Sequence, residues 1–196
     1  FYLLEKFKTP KNIREANIAD LASMVGDKIA QEIISLKPTD QIRKNYTLLQ
    51  EFSIKILPYY SSDYPAWLKN ISHFPPVLFV RGSITLADEI SIAVIGTRGA
   101  TVYGKKIADN FAADFAQAGV TVVSGMARGI DTAAHRGALT RSGRTIAVLG
   151  CGIDICYPPE NKSLMNEIVE NGAVISEFNI RTPPLAQNFP KRNRII

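Results

Sequence analysis

Four short stretches of this sequence put small and polar residues directly after an apolar run. They are Gly96-Thr97-Arg98 after residues 92–95, Ser124-Gly125 after 120–123, Gly150-Cys151-Gly152 after 145–149, and Ser176-Glu177 after 173–175. Glycine has no Cβ, so the backbone can come close to a ligand at such positions. Exposed N–H groups at a helix start favour anions, phosphate above all. Arg98 and Arg128 add planar guanidinium forks that match phosphate oxygens. Any one of these glycines is equally well explained as a tight strand-to-helix turn. Four at corresponding strand ends predict a phosphate-binding edge.

The chemistry beyond anion binding is sparse. The first turn reads Gly96-Thr97-Arg98-Gly99-Ala100 and lacks the dinucleotide fingerprint, and no Walker A run occurs, which argues against NAD and against ATP hydrolysis. Asp131 and His135 stand at helical i, i+4 spacing. They fit either a general acid–base pair or a pair that orders the turn, and the expectation is the second. Asp154 and Glu177 are expected to hold backbone groups or arginines. The two histidines, His73 and His135, lie far apart, and Cys151 and Cys156 form no CxxC pair. No metal-ligand spacing exists, and neither a metal nor a cofactor is expected.

The elements that must carry these turns alternate regularly. Apolar strands at 92–95, 120–123, 145–149 and 173–175 are separated by helical patterns at 104–118, 130–139 and 161–170. Gly119 ends the first helix. Continuous apolar strands with helical crossovers predict a mostly parallel sheet covered on both faces, with right-handed connections. This is an α/β, doubly wound, Rossmann-like architecture. Ligands of such sheets bind at the carboxyl ends of the strands.

Ahead of it, residues 1–37 read as a small helical domain. Thr9-Pro10 and Asn17 are helix starts, and Gly26 separates two short helices. The pair resembles a degenerate helix-hairpin-helix, with Met24 where the first glycine would stand; a plain helical packing module is the alternative. Residues 38–53 read as a connecting helix and 54–196 as the Rossmann-like domain, with strands at 54–57 and 77–80.

The chain has 196 residues, of which 46% are hydrophobic, and a net charge of +5. The basic balance favours an anionic partner, but only weakly. No run is long enough to span a membrane and no signal peptide is visible, so a cytoplasmic protein with two reduced thiols is expected. The chain starts at Phe1 and stops within a motif at Ile196, and is expected to be a fragment whose fold continues on the C-terminal side.

Taken together, several motifs resemble the DNA processing protein A family, also called Smf. They are Gly96-Thr97-Arg98 with Tyr103-Gly104, residues 124–131 running to Ala134-His135, and residues 147–154 with Tyr157-Pro158 and Asn161. Ser176-Glu177, residues 189–196, and Pro75-Pro76 leading to Gly82 complete the set. The resemblance covers 54–196 with order and spacing intact. It implies an extended Rossmann fold that binds single-stranded DNA without sequence preference and hands it to the recombinase RecA in natural transformation. The full-length protein is then expected to be a homodimer and not an enzyme.

On this resemblance Arg98 is the first phosphate contact. Gly96, Thr97, Ser124 and Gly125 supply N–H groups or a hydroxyl, and Gly150 and Gly152 form the floor. Asn161 caps its helix and reaches a base or phosphate. Lys162 is either a rim charge or a solvated lysine. Lys191, Arg192 and Arg194 form the dense basic run, and Phe189 beside them either packs in the core or stacks on a base. Arg128 adds charge. The rival expectation is a nucleotide-phosphate-binding protein or a phosphoribohydrolase-like enzyme on a related fold, although the Pro-Gly-Gly-x-Gly-Thr loop of those enzymes is absent.

Overall fold

The computed structural model describes residues 2–196. They form two compact units that divide between Leu48 and Leu49. The first contains α1 (Tyr2–Phe7), α2 (Pro10–Glu15), α3 (Ile18–Val25) and α4 (Asp27–Ser35). Thr9 accepts the Asn12 N–H at 3.1 Å and Asn17 accepts the Ala19 N–H at 2.8 Å, each satisfying a donor that the helix start leaves free. Gly26, at φ +83°, makes the turn between α3 and α4. Ile13, Leu21 and Ala30 form the core of this unit, with Leu4, Phe7, Val25 and Ile33 packed on them. The division between units falls within α5 (Asp40–Glu51).

The second unit holds β1 (Lys55–Pro58), β2 (Val77–Gly82), β3 (Ser91–Ala93), α6 (Val102–Gln117), β4 (Thr121–Ser124), α7 (Ile130–Thr140), β5 (Thr145–Leu149), α8 (Lys162–Asn171), β6 (Ala173–Ser176) and α9 (Asn188–Arg192). The sheet order is β1-β2-β6-β5-β4-β3. β3 to β6 run parallel, and β1 and β2 join antiparallel beside β6.

Successive parallel strands step across the sheet in one direction. Right-handed crossovers then put α6, α7 and α8 on a single face. Val122 points there, into a cluster with Ala112, Ala116, Ala134 and Ala138. Its neighbour Val123 points to the other face with Ile146, Val148 and Ile175, under Tyr64, Leu68 and Ile195. Both faces are therefore covered, one by helices and the other by the loop after β1 and the last residues of the chain. α6 and α7 approach closely because Gly137 lies against the Asp109 carbonyl, where any Cβ would collide with backbone.

The amino ends of the parallel strands are tied by charge. Arg144, just before β5, donates from Nε and Nη2 to the two Asp88 oxygens, both at 2.8 Å, and Thr121 Oγ1 donates to Asp88 at 2.8 Å. Burial pushes the Asp88 carboxyl up, but the hydrogen bonds from Arg144, the Thr85 N–H and Thr121 outweigh it and hold it below the ordinary carboxylate value. Close by, Thr145 Oγ1 donates to the Val122 carbonyl at 2.7 Å and meets His135 Nδ1 at 2.7 Å. The hydroxyl has one proton, so Nδ1 is the donor to Thr145 and Nε2 carries the lone pair. His135 is fully buried, and burial, with Arg192, brings its pKa down to about 3.

Candidate nucleic-acid interface

The four turns at the carboxyl ends of β3 to β6 meet. Ile130 N donates to Thr97 O at 3.3 Å, which brings the turn after β3 onto the start of α7. Gly152 N donates to Thr182 O at 2.8 Å, which does the same for the loops after β5 and β6. α9 lies across the middle, with Phe189 over Gly150 and Arg192 over Gly125.

Beneath this edge lies a buried ion cluster. Asp131, at the start of α7, accepts the Ala127 N–H at 3.4 Å, and the N–H groups of Gly96 and Gly125 pull on its carboxyl as well. Arg192 faces it and donates to the carbonyls of Gly125, at 2.8 Å, and Val148. Burial pushes the Asp131 carboxyl up, against the pull of those N–H groups and of Arg192. The same burial pushes the Arg192 guanidinium down, with Asp131 holding it up and Arg98 adding repulsion. One carboxylate and one guanidinium thus secure the ends of three strands.

This arrangement corrects several expectations. The N–H of buried Gly125 acts on the Asp131 carboxyl rather than on a ligand, and that of Gly96 acts there too, although Gly96 itself is exposed. Ser124 is fully buried and its hydroxyl donates to Val94 O at 2.7 Å. Arg192 points inward, only 3% exposed, since the carbonyls at the strand ends need a donor that water cannot supply there. Asn161 stands at the N-cap of α8, but its side chain makes no capping hydrogen bond. It is 3% exposed and its Nδ2 donates to Met126 O at 3.0 Å and Thr132 Oγ1 at 2.9 Å. It thereby fixes Met126, a buried residue held at φ +59°. Gly150 is buried beneath Phe189. Gly152 is closed over by the loop after β6, which a Cβ would strike at 2.8 Å. Arg194 is half-buried and forks onto both oxygens of Glu177, with Nε on His73 O at 2.9 Å. The glycines are small so that the protein can pack against itself.

What faces solvent is a shorter set. Gly96, Thr97, Arg98, Arg128, Lys162 and Lys191 are exposed. The Arg98 guanidinium lies 5.0 Å from the centroid of the Phe189 ring, whose centroid is 5.7 Å from that of Tyr157. Phe189 is half-buried, so it both packs on Gly150 and shares a platform with Tyr157. Arg128 forks onto Glu160 in an exposed ion pair, which raises the guanidinium pKa and lowers that of the carboxyl. Lys162 opens α8, where a cation adds to the positive end of the helix dipole. Asp154 and Glu177 serve the protein as expected, on the Arg181 N–H and on Arg194. Asp131 and His135 point into separate buried networks. Among the described residues no group of acidic, histidine or cysteine side chains is arranged to hold a metal.

The sequence profile of DNA recombination-mediator protein A matches residues 55–196. The chain belongs to that family. Among curated members it is 39% identical over 168 residues to protein Smf of Escherichia coli K12, covering 85% of this chain and 45% of the relative. It is 38% identical over 148 residues to DNA processing protein DprA of Bacillus subtilis, covering 75% and 50%. The chain therefore spans about half the length of the curated relatives it matches. In three dimensions it superposes on DNA processing protein A of Streptococcus pneumoniae with TM-score 0.70 and 30% identity, over 99% of this chain and 72% of the other. The Helicobacter pylori protein, solved for its unique single-stranded DNA binding mode, gives TM-score 0.66 and 31% identity over 74% and 65%. The family match confirms the Rossmann-like fold and places the profile on the unit that carries the carboxyl edge.

Two features of this edge escape sequence reasoning. Arg192 looks like a surface cation in a basic run, and only the turn of α9 sends it inward. The left-handed backbone of Met126, and of Arg181 at φ +66°, leaves no mark in residue type. The i, i+4 relation of Asp131 to His135 was the one available signal for the buried carboxylate.

Proposed function

We propose that this chain holds single-stranded DNA along the carboxyl edge of its parallel strands and serves recombination by passing that strand to a recombinase. The observation that carries the reading is the contrast in charge at this edge. The cluster beneath it is neutralised, whereas Arg98, Lys162 and Lys191 above it meet no carboxylate among the described residues. A chain of phosphates supplies the missing charge, and the Phe189–Tyr157 platform offers a π-face on which any base stacks. Such contacts do not read base edges, so binding is independent of sequence. Arg128 can exchange its exposed partner Glu160 for a phosphate at little cost, because an exposed ion pair contributes at most about 1 kcal/mol. A relative whose structure describes a single-stranded DNA binding mode supports the choice of ligand.

Binding rather than turnover is the activity we read here, because the one pair at catalytic spacing, Asp131 and His135, is divided between two buried networks. RecA as the recipient, a homodimer as the full-length form, a part in natural transformation and a cytoplasmic setting belong to the same proposal. Among the described residues no helix is long and apolar enough to cross a membrane.

Fluorescence anisotropy with a labelled oligothymidine tests the reading. Arg98→Ala is expected to weaken binding at least about tenfold at moderate salt, and the wild-type affinity should fall steeply as salt rises. Unchanged affinity in Arg98→Ala would remove the central contact.

A further inference from the structure

Arg181 lies in the loop after β6, outside every motif that pointed to this edge. Its backbone is left-handed, at φ +66°. Side chains with a Cβ rarely adopt that region, and glycine adopts it freely. The surrounding contacts impose the conformation. The Arg181 N–H donates to Asp154 Oδ1 at 2.8 Å, and Thr182 N donates back to Asn179 O at 3.1 Å. The loop lies so close over Gly152 that a Cβ there would stand 2.8 Å from both Arg181 N and Asn179 O. The backbone of Arg181 is thus fixed on the turn that follows β5.

Its side chain takes no part in this. It is exposed, and among the described residues its guanidinium meets neither a carboxylate nor an aromatic ring. Asp154, which meets this loop, and Glu177, which precedes it, are both engaged, by the Arg181 N–H and by Arg194. An arginine in a position suited to glycine, with a rigid base and an unpaired head, carries backbone strain of the kind that clusters at binding sites. Phe189 covers Gly150 and the Arg181 backbone covers Gly152, two residues further on. The stacking platform and the Arg181 backbone therefore stand over the same turn, from which the exposed side chain projects.

We propose that Arg181 is an additional phosphate contact, extending the strand's path across the rim from Arg98, over β5, to the loop after β6. The inference rests on the reading of the carboxyl edge as a single-stranded DNA site. A guanidinium suits the task because two parallel N–H groups can grip one phosphate.

The test is to put Arg181→Gly and Arg181→Gln into the whole protein and to measure melting temperature and oligothymidine affinity across a salt series. Arg181→Gly relieves the left-handed backbone, so its melting temperature should equal or exceed that of wild type. Its affinity should nevertheless fall about threefold to tenfold, and the slope of log K against log salt should flatten by about 0.7, one phosphate on a single strand. Arg181→Gln keeps the backbone restraint and loses the charge, and should show the same loss of slope. Wild-type affinity and slope in both variants would overturn the inference. Arg98→Ala, measured alongside, separates the two failures. If it weakens binding while the Arg181 variants do not, only Arg181 is misassigned. If it too is without effect, the reading of the whole edge fails.

Discussion

At the amino end of the parallel strands, Asp88 sits between Arg144 and Thr121, and both nitrogens of the arginine fork are used on its oxygens. At the carboxyl end, Asp131 and Arg192 attract each other across a longer gap, each bonded to backbone groups, and a second tier of cations, Arg98, Lys162 and Lys191, stands above them with no carboxylate opposite among the described residues. The two ends share residue types and differ in balance. Where every charge has its counterpart, the cluster serves stability alone. Where cations outnumber carboxylates, the surplus on the proposed reading marks the side that faces a polyanion.

The largest effect that would break this comparison is expected at the carboxyl cluster. Arg192→Met removes the positive charge that faces buried Asp131 and strips two strand-end carbonyls of their donor. Urea denaturation should show a loss of about 3–5 kcal/mol, since each buried carbonyl left without a donor costs about 1–3 kcal/mol and the attraction to the buried carboxylate is lost as well. A loss below about 1 kcal/mol would mean that the cluster does not hold the edge together.

Arg144→Met at the other end should cost less, about 2–3 kcal/mol, because its side chain is 27% exposed and water can reach Asp88 once it has gone. The sharper readout is binding. At a temperature where the variant is folded, its oligothymidine affinity should match wild type, in contrast to Arg98→Ala. A parallel loss of affinity would erase the distinction between the two ends.

The smallest effect concerns pH. His135 titrates near 3 when folded and near 6.5 when unfolded. Below pH 6.5 the unfolded chain takes up a proton that the folded chain refuses, so stability falls as pH falls through this window. The loss is on the order of 1 kcal/mol per pH unit, roughly 2 kcal/mol between pH 7 and pH 5. His135→Gln removes the titration, and its stability should change less across that interval whatever its absolute value. Equal slopes in both proteins would show that His135 is not the group responsible.

Much of this fold is legible in the sequence because local rules and tertiary structure agree. Thr9-Pro10 and Asn17 start helices where capping requires, and the apolar runs at β4, β5 and β6 are fully buried strands. The packing of α6 is where the pattern misleads. Phe111 stands at core spacing with Phe115, yet it is 57% exposed. The contact with Ala134 and Ala138 of α7 is made by Ala112 and Ala116, whose smallness lets the helices approach. Ranking positions by hydrophobicity overlooks alanine, although close approach depends on it.

The candidate site was legible as a location and much less so as a set of roles. Glycine and serine at the four strand ends mark the edge, but residue type does not say whether an N–H faces solvent or an internal carboxylate. Gly96 and Gly125 turned out to serve Asp131. Arg192 and Arg194, adjacent to Lys191 in a basic run, spend their guanidinium groups inside the molecule, because each reaches carbonyl or carboxylate oxygens that would otherwise be buried without a donor.

The carboxylate of Asp131 in the nest beneath the edge has a consequence for ligand choice. The deepest seat for a single anion is already taken by the protein, so a lone nucleotide gains little there. On the proposed reading, affinity instead accumulates from several weak surface grips joined by a continuous backbone, each raising the effective concentration of the next. A site organised in this way discriminates by length, favouring the polymer over its monomer.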